Sequence, residues 1–243
     1  MLLYYIRHGD PIYNPDSLTP LGHAQAQAIS RRLCTHGVDK IYSSSSNRAY
    51  LTAKPTADLL KKEITTLDWC HEDLAGRDFG MKYEDGRRFW CYFHPKTMEL
   101  FVSDEIRALG KNWYEHPAFL ADCYQESNFK EGVLRVRKET DALLLSLGYR
   151  YVPERNGYLA ERPNEERVAL FAHEGFGMIF LSTVLGIPYP EFCTHFGLSH
   201  TGMCVIEFEN HDGLIIPRML QHSNDSHLYA ERLPLKYGNR IYF

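Results

Sequence analysis

A three-layer α/β/α sandwich around a mostly parallel sheet is what this sequence predicts, and three observations carry the prediction. Leu2 to Ile6 is a continuous apolar and aromatic run, the kind buried on both faces of a parallel sheet. Arg167 to Ala172 (RVALFA) is a second such run and passes into apolar helical periodicity from Gly175 to Leu185. Short apolar runs elsewhere alternate with stretches of helical spacing, as βα units do. With 243 residues, 44% of them hydrophobic and 24% charged, the chain can bury one full core. A single domain over residues 1–243 is expected, with a cap inserted at about 81–126.

Taken in order, the first strand ends at a Gly, Asp and Pro cluster and so delivers Arg7 and His8 at its carboxyl end. Thr19 and Pro20 are start signals for a helix from Gly22 to Leu33. Asp39 to Ser43 predicts a short strand, and Asn47 to Lys62 a helix that Pro55 must kink or interrupt. Ile64 to Leu67 is a further strand candidate. Residues 81 to 126 are loop-rich and crowded with aromatics, among them Phe89, Trp90, Tyr92, Phe93 and Trp113. They are read as a cap whose aromatics form a small satellite core, some of them at a substrate entrance. Ser127 to Leu147 resumes a helix, Tyr149 to Glu161 alternates about Asn156-Gly157 as a hairpin would, and two late strands are expected at Gly202 to Phe208 and Leu214 to Leu220.

Composition narrows the partners. The formal net charge of −4 is mild and no run of five or more like charges occurs, so neither a nucleic-acid arm nor a polybasic membrane patch is indicated. The six cysteines are scattered, with no C-x-x-C pair, and the apolar start is too short for a signal or transmembrane segment. A cytoplasmic protein with reduced thiols is expected. Neither H-E-x-x-H nor a His/Cys cluster with ligand spacing occurs, so no metal site is predicted, and no cofactor. The Walker and dinucleotide glycine motifs, the cysteine-phosphatase loop and the Asp-x-Asp motif are likewise missing.

Arg7-His8-Gly9 at a strand end falls where open α/β sheets place ligands. Arg48 opens the second predicted helix, and His173 ends the RVALFA strand just before Gly175. All three strand ends would face one crevice. Two arginines grip a phosphoryl group through forked, charge-assisted hydrogen bonds, a helix N-terminus adds amide donors, and two histidines supply a nucleophile and an electrophilic partner.

In these segments the sequence resembles the histidine phosphatase superfamily, the phosphoglycerate-mutase-like group. The resemblance lies in YYIRHGDPIYN (Tyr4 to Asn14), LTPLGHAQA (Leu18 to Ala26), SSSSNRAYLTA (Ser43 to Ala53), HEDLAGRDFG (His71 to Gly80) and LFAHEGFG (Leu170 to Gly177), in the family's order. It implies that His8 is the nucleophile and that Arg7, Arg48 and His173 complete the phosphate pocket. It further implies Asn14 as an extra phosphate contact and Glu72, ahead of Gly76, as the acid that protonates the leaving oxygen. Two departures stand out: His173 is followed by Glu174 where the family usually has Gly, and Asp10-Pro11 lacks the serine common in mutases.

The expected activity is hydrolysis of a small phosphorylated substrate through phosphohistidine, with inorganic phosphate as product. Water would attack the phosphohistidine with ionised Glu72 as base. A phosphoglycerate-type mutase is the enzymatic alternative, and a phosphate-binding module without turnover the non-enzymatic one.

Overall fold

The computed structural model describes residues 1–210, 213–237 and 241–242. Strand β1 (Leu2–Arg7) is followed by a small hairpin, β2 (Pro11–Tyr13) and β3 (Asp16–Leu18), and then by α1 (Pro20–Cys34). Thr19 caps α1, its hydroxyl accepting from the Gly22 amide, and Pro20 opens the helix where a missing N–H costs nothing. Next come β4 (Lys40–Ser44), α2 (Asn47–Leu60) and β5 (Ile64–Leu67). Of the expected kink or interruption at Pro55, the interruption does not occur: α2 runs through it as one helix. A segment not anticipated as helical, α3 (Glu72–Phe79), starts from the His71 cap.

The expected cap begins with the hairpin β6 (Gly80–Lys82) and β7 (Arg88–Trp90), followed by α4 (Pro95–Phe101), α5 (Asp104–Leu109) and single turns up to Tyr124. Its buried side chains Tyr92, Phe101, Ile106 and Trp113 belong to the same apolar cluster as the sheet. They extend the main core and do not form a satellite. Phe89 and Phe93 stay about half exposed.

After α6 (Phe129–Ser146) the predicted hairpin forms as β8 (Tyr149–Val152) and β9 (Gly157–Ala160). Its loop is a turn of 3-10 helix closed by Asn156 at φ 46°, so Gly157 already lies in the second strand. Then follow β10 (Arg167–Ala172), α7 (Glu174–Leu185), α8 (Tyr189–His195), β11 (Met203–Glu207), β12 (Arg218–Asn224) and α9 (Ser226–Ala230). The last strand lies further along than Leu214 to Leu220. Ile215 is drawn away instead to Tyr158, with which it exchanges two backbone hydrogen bonds of 2.8 Å.

The strand order is β12-β11-β1-β10-β4-β5. β1, β10, β4 and β5 are parallel, and β11 is antiparallel to both β1 and β12, so β11 alone runs against the rest. Alternation along β1 sorts the two faces. Tyr4 and Ile6 pack with Ile29 and Leu33 of α1 and Ala53 of α2. Leu3 and Tyr5 pack with Phe79 of α3, Val136 of α6 and Phe180 of α7. The fold is therefore a helix–sheet–helix sandwich. No helix among the described residues is long and apolar enough to cross a membrane.

Two glycines hold the loop after β1 against α1. A Cβ on Gly22 would lie 2.2 Å from the Asp10 carbonyl oxygen, and one on Gly9 2.7 Å from the Gly22 oxygen. Backbone meets backbone here, so neither side can yield by a rotamer change. Gly22→Ala is expected to destabilise the protein by about 1–3 kcal/mol or more, read from urea unfolding, and to displace the His8 loop.

Candidate active site

The carboxyl ends of β1, β4 and β10 converge on one cleft of about 1010 Å³. β1 ends in Arg7 and places His8 beyond it, β10 is followed by His173, and Arg48 stands in the first turn of α2 just after β4. All four side chains are buried, His8 at 3% exposure and His173 at 0%. The two imidazole centroids are 5.3 Å apart.

His8 has its tautomer set by a single contact. Its Nδ1 lies 2.7 Å from the Gly9 carbonyl oxygen, and because a carbonyl can only accept, Nδ1 carries the proton. Nε2 is then left with its lone pair. Burial, reinforced by the charges of Arg7 and Arg48, holds the His8 imidazole well below its ordinary range, so it is neutral at physiological pH. His173 is depressed in the same way, by burial first and then by His8 and Arg48. Its Nε2 is 2.8 Å from Ser44 Oγ at the end of β4.

The arginines are anchored from behind. Arg48 Nη1 donates to Asp16 Oδ1 at 2.8 Å, with Tyr13 5.5 Å from its guanidinium. Asp16 also accepts from Ser46 Oγ and the Asn47 amide, which ties the β2–β3 hairpin to the start of α2. Arg7 Nη1 donates to the Leu198 carbonyl and to Glu174 Oε2, the latter at 2.8 Å. Glu174, which stands where the family usually has Gly, therefore lines the cleft and pairs with one of its two arginines. Arg7 Nε, Arg48 Nε and His173 Nδ1 are all buried without a hydrogen-bond partner among the described residues.

Glu72, the first residue of α3, aims its carboxylate at the N-terminus of α7, where Oε1 accepts from the Gly175 amide at 3.0 Å and Oε2 from the Phe176 amide at 2.8 Å. These bonds favour the ionised form, but burial outweighs them and raises the carboxyl to about 7. Trp90 lines the same cleft and packs at Gly175, whose amide Glu72 holds. A Cβ on Gly175 would meet the Trp90 ring at 2.1 Å, and one on Gly76 would meet it at 4.0 Å. The indole thus occupies space that Gly175 leaves open at the start of α7, at ordinary contact distance from Gly76 of α3.

Asn14 is the site residue that the structure does not bring in. It is exposed at the tip of the β2–β3 hairpin, and the cleft lining takes Tyr13 from that hairpin instead. Trp90 is one of the cap aromatics expected near the entrance, whereas Ser44, Asp16 and a hydroxyl cluster of Ser199 and Ser223 were not foreseen. Their roles depend on contacts between distant parts of the chain, which no local pattern signals. Among the described residues, no group of three His, Cys, Asp or Glu could hold a metal ion.

Residues 3–101 match the family model of the histidine phosphatase superfamily (branch 1), a stretch that includes Arg7, His8, Arg48 and Glu72. Over these residues the chain is similar to this superfamily. A Hydrogenobacter thermophilus protein with the provisional name phosphoserine phosphatase 2 is 37% identical over 124 residues, 47% of this chain and 53% of that relative. The match thus spans about half of the relative's length. Among solved structures, an Entamoeba histolytica phosphoserine phosphatase in complex with 3-phosphoglyceric acid superposes with a TM-score of 0.55 at 19% identity, covering 93% of this chain and 98% of its own. A mycobacterial glucosyl-3-phosphoglycerate phosphatase gives 0.58 at 18% identity, with 91% and 98% covered. At these identities the histidine phosphatase fold is what is shared.

Burial of neutral histidines also sets an acid limit on stability. His8 and His173 are held well below their ordinary value, and burial with the Arg32 charge lowers His227 to about 3. Below about pH 6.5 the unfolded chain protonates these three and the folded protein does not, so stability falls as pH falls. The slope approaches about 1.4 kcal/mol per pH unit for each group. A thermal unfolding midpoint lower at pH 5 than at pH 7 is expected, and His227→Gln should flatten the dependence.

Proposed function

We propose that this protein is a metal-independent phosphomonoester hydrolase that passes the phosphoryl group of a small phosphorylated metabolite to His8 and then to water. The observation that carries the reading is the His8 tautomer. With Nδ1–H fixed on the Gly9 carbonyl, an unprotonated Nε2 stands beside two buried guanidiniums. A phosphoryl group between them would satisfy the buried Arg7 Nε, Arg48 Nε and His173 Nδ1 together.

In the first half-reaction Nε2 attacks phosphorus in line, the P–O bond to the alcohol breaks, and protonated Glu72 gives its proton to the departing oxygen. Arg7 and Arg48 balance the charge on the equatorial oxygens, so the protein itself supplies the cations. In the second, ionised Glu72 takes a proton from the water that attacks phosphohistidine, releasing inorganic phosphate and returning Nε2 to its lone-pair state. A carboxyl near 7 populates both forms at neutral pH, as one group serving both steps requires.

The phosphatase names of the Hydrogenobacter, Entamoeba and mycobacterial proteins support hydrolysis over mutase chemistry. So does Glu174, which leaves the cleft little surplus positive charge for a second phosphoryl group. All six cysteines are free thiols, which supports a reducing, cytoplasmic setting. The test is phosphate release from a panel of phosphomonoesters with chelator present. Undiminished release is expected, and release that needs added metal would contradict the reading.

A further inference from the structure

The part of the cleft beyond the phosphoryl pocket has a composition of its own. Phe89 and Phe93 stack with centroids 5.7 Å apart at 22°, and Trp90 and Tyr92 do so at 5.6 Å and 28°. All four line the cleft, and Phe89 and Phe93 are 50% and 49% exposed. Half-exposed aromatic faces at a cleft are apolar area that a flat ligand would cover, with ring stacking adding to the gain from burial.

Charge in the lining points the same way. Among the described residues of the cleft wall, the lysine and arginine side chains are Arg7 and Arg48. Each already faces a carboxylate, Glu174 and Asp16, and both guanidiniums are committed to the phosphoryl group. The remaining lining adds Asp225, which accepts from Ser199 Oγ at 3.2 Å. A carboxylate or second phosphoryl group on the substrate would find no cation and would meet Asp225 at close range.

We propose that the substrate is a phosphomonoester of an alcohol with a flat aromatic face and no second anionic group, an inference that rests on the phosphatase reading above. Phe89 and Phe93 hold the ring, and the Ser199, Ser223 and Asp225 cluster selects against negative charge while accepting a hydroxyl or ammonium.

Calorimetric binding of phosphonates tests this without requiring turnover. Benzylphosphonate is expected to bind at least tenfold more tightly than propylphosphonate, and 3-phosphonopropionate at least tenfold more weakly than propylphosphonate. The double variant Phe89→Ala/Phe93→Ala should bring benzylphosphonate down to the propylphosphonate affinity. Because both rings are half exposed, the variant keeps its core, and propylphosphonate binding reports that it does. Equal affinity for benzyl and propyl compounds, or binding of 3-phosphonopropionate as tight as that of propylphosphonate, would overturn the proposal. Failure of hydrolysis alone would instead count against the phosphatase reading.

Discussion

His8→Ala is expected to lower phosphate release from any phosphomonoester by about 10⁵ or more, because the variant has no group able to form the covalent intermediate. The loss should fall on kcat and leave phosphate binding largely in place. Arg7, Arg48 and His173 reach the pocket from three different segments, β1, α2 and the end of β10, and none of them is held by the His8 side chain. Inorganic phosphate should therefore still bind to the variant, measured calorimetrically. Retained turnover in His8→Ala would remove the nucleophile from the scheme.

Glu72→Gln carries the second large effect. Glutamine preserves the shape of the side chain, and its carbonyl oxygen can keep one of the two bonds from the Gly175 and Phe176 amides, but it can neither give nor take a proton. Turnover of alkyl esters should fall by about 10²–10⁴. Aryl esters, whose leaving groups need little protonation, should lose much less in the phosphorylation step. The pH profile adds a signature that a packing role would not produce. In the proposed mechanism Glu72 is protonated when phosphorylation begins, and its carboxyl stands at about 7, so kcat/KM should decline above about pH 7 and that decline should vanish in Glu72→Gln. On the acid side His8 remains neutral, because burial holds it well below the ordinary imidazole value. A fall there belongs to the second ionisation of the substrate phosphoryl group near 6. Trp90→Ala, which removes the ring packed at Gly175 and admits water there, should move the alkaline limb to lower pH.

Much of this was legible in the chain because it is written in short-range patterns. β1, β10 and α7 are nearly continuous apolar runs, a signal strong enough to give their type and approximate limits. Arg7, His8 and His173 could be placed because each sits at the carboxyl end of such a run, and Arg48 because the second helix starts beside it. What was not legible depends on partners far away in sequence. Glu174 could be noticed as a departure, but that it reaches Arg7, 167 positions earlier, follows only from the pairing of β1 with β10. Ile215 looked like strand because it is apolar, and it is claimed by Tyr158 instead. The cap aromatics read as a separate cluster because composition cannot say which face of the sheet they cover. Asn14 was expected at the phosphate from the family resemblance, yet the hairpin puts Tyr13 at the cleft lining and leaves Asn14 exposed.

The most direct test of the central claim is to trap the intermediate. Rapid acid-free quenching during turnover of a ³²P-labelled ester, followed by peptide mapping, should find an acid-labile, alkali-stable phosphoryl group on the peptide that carries His8. It should be absent from His8→Ala and longer-lived in Glu72→Gln. Turnover with no covalent phosphoryl group, or with one on another side chain, would contradict the account.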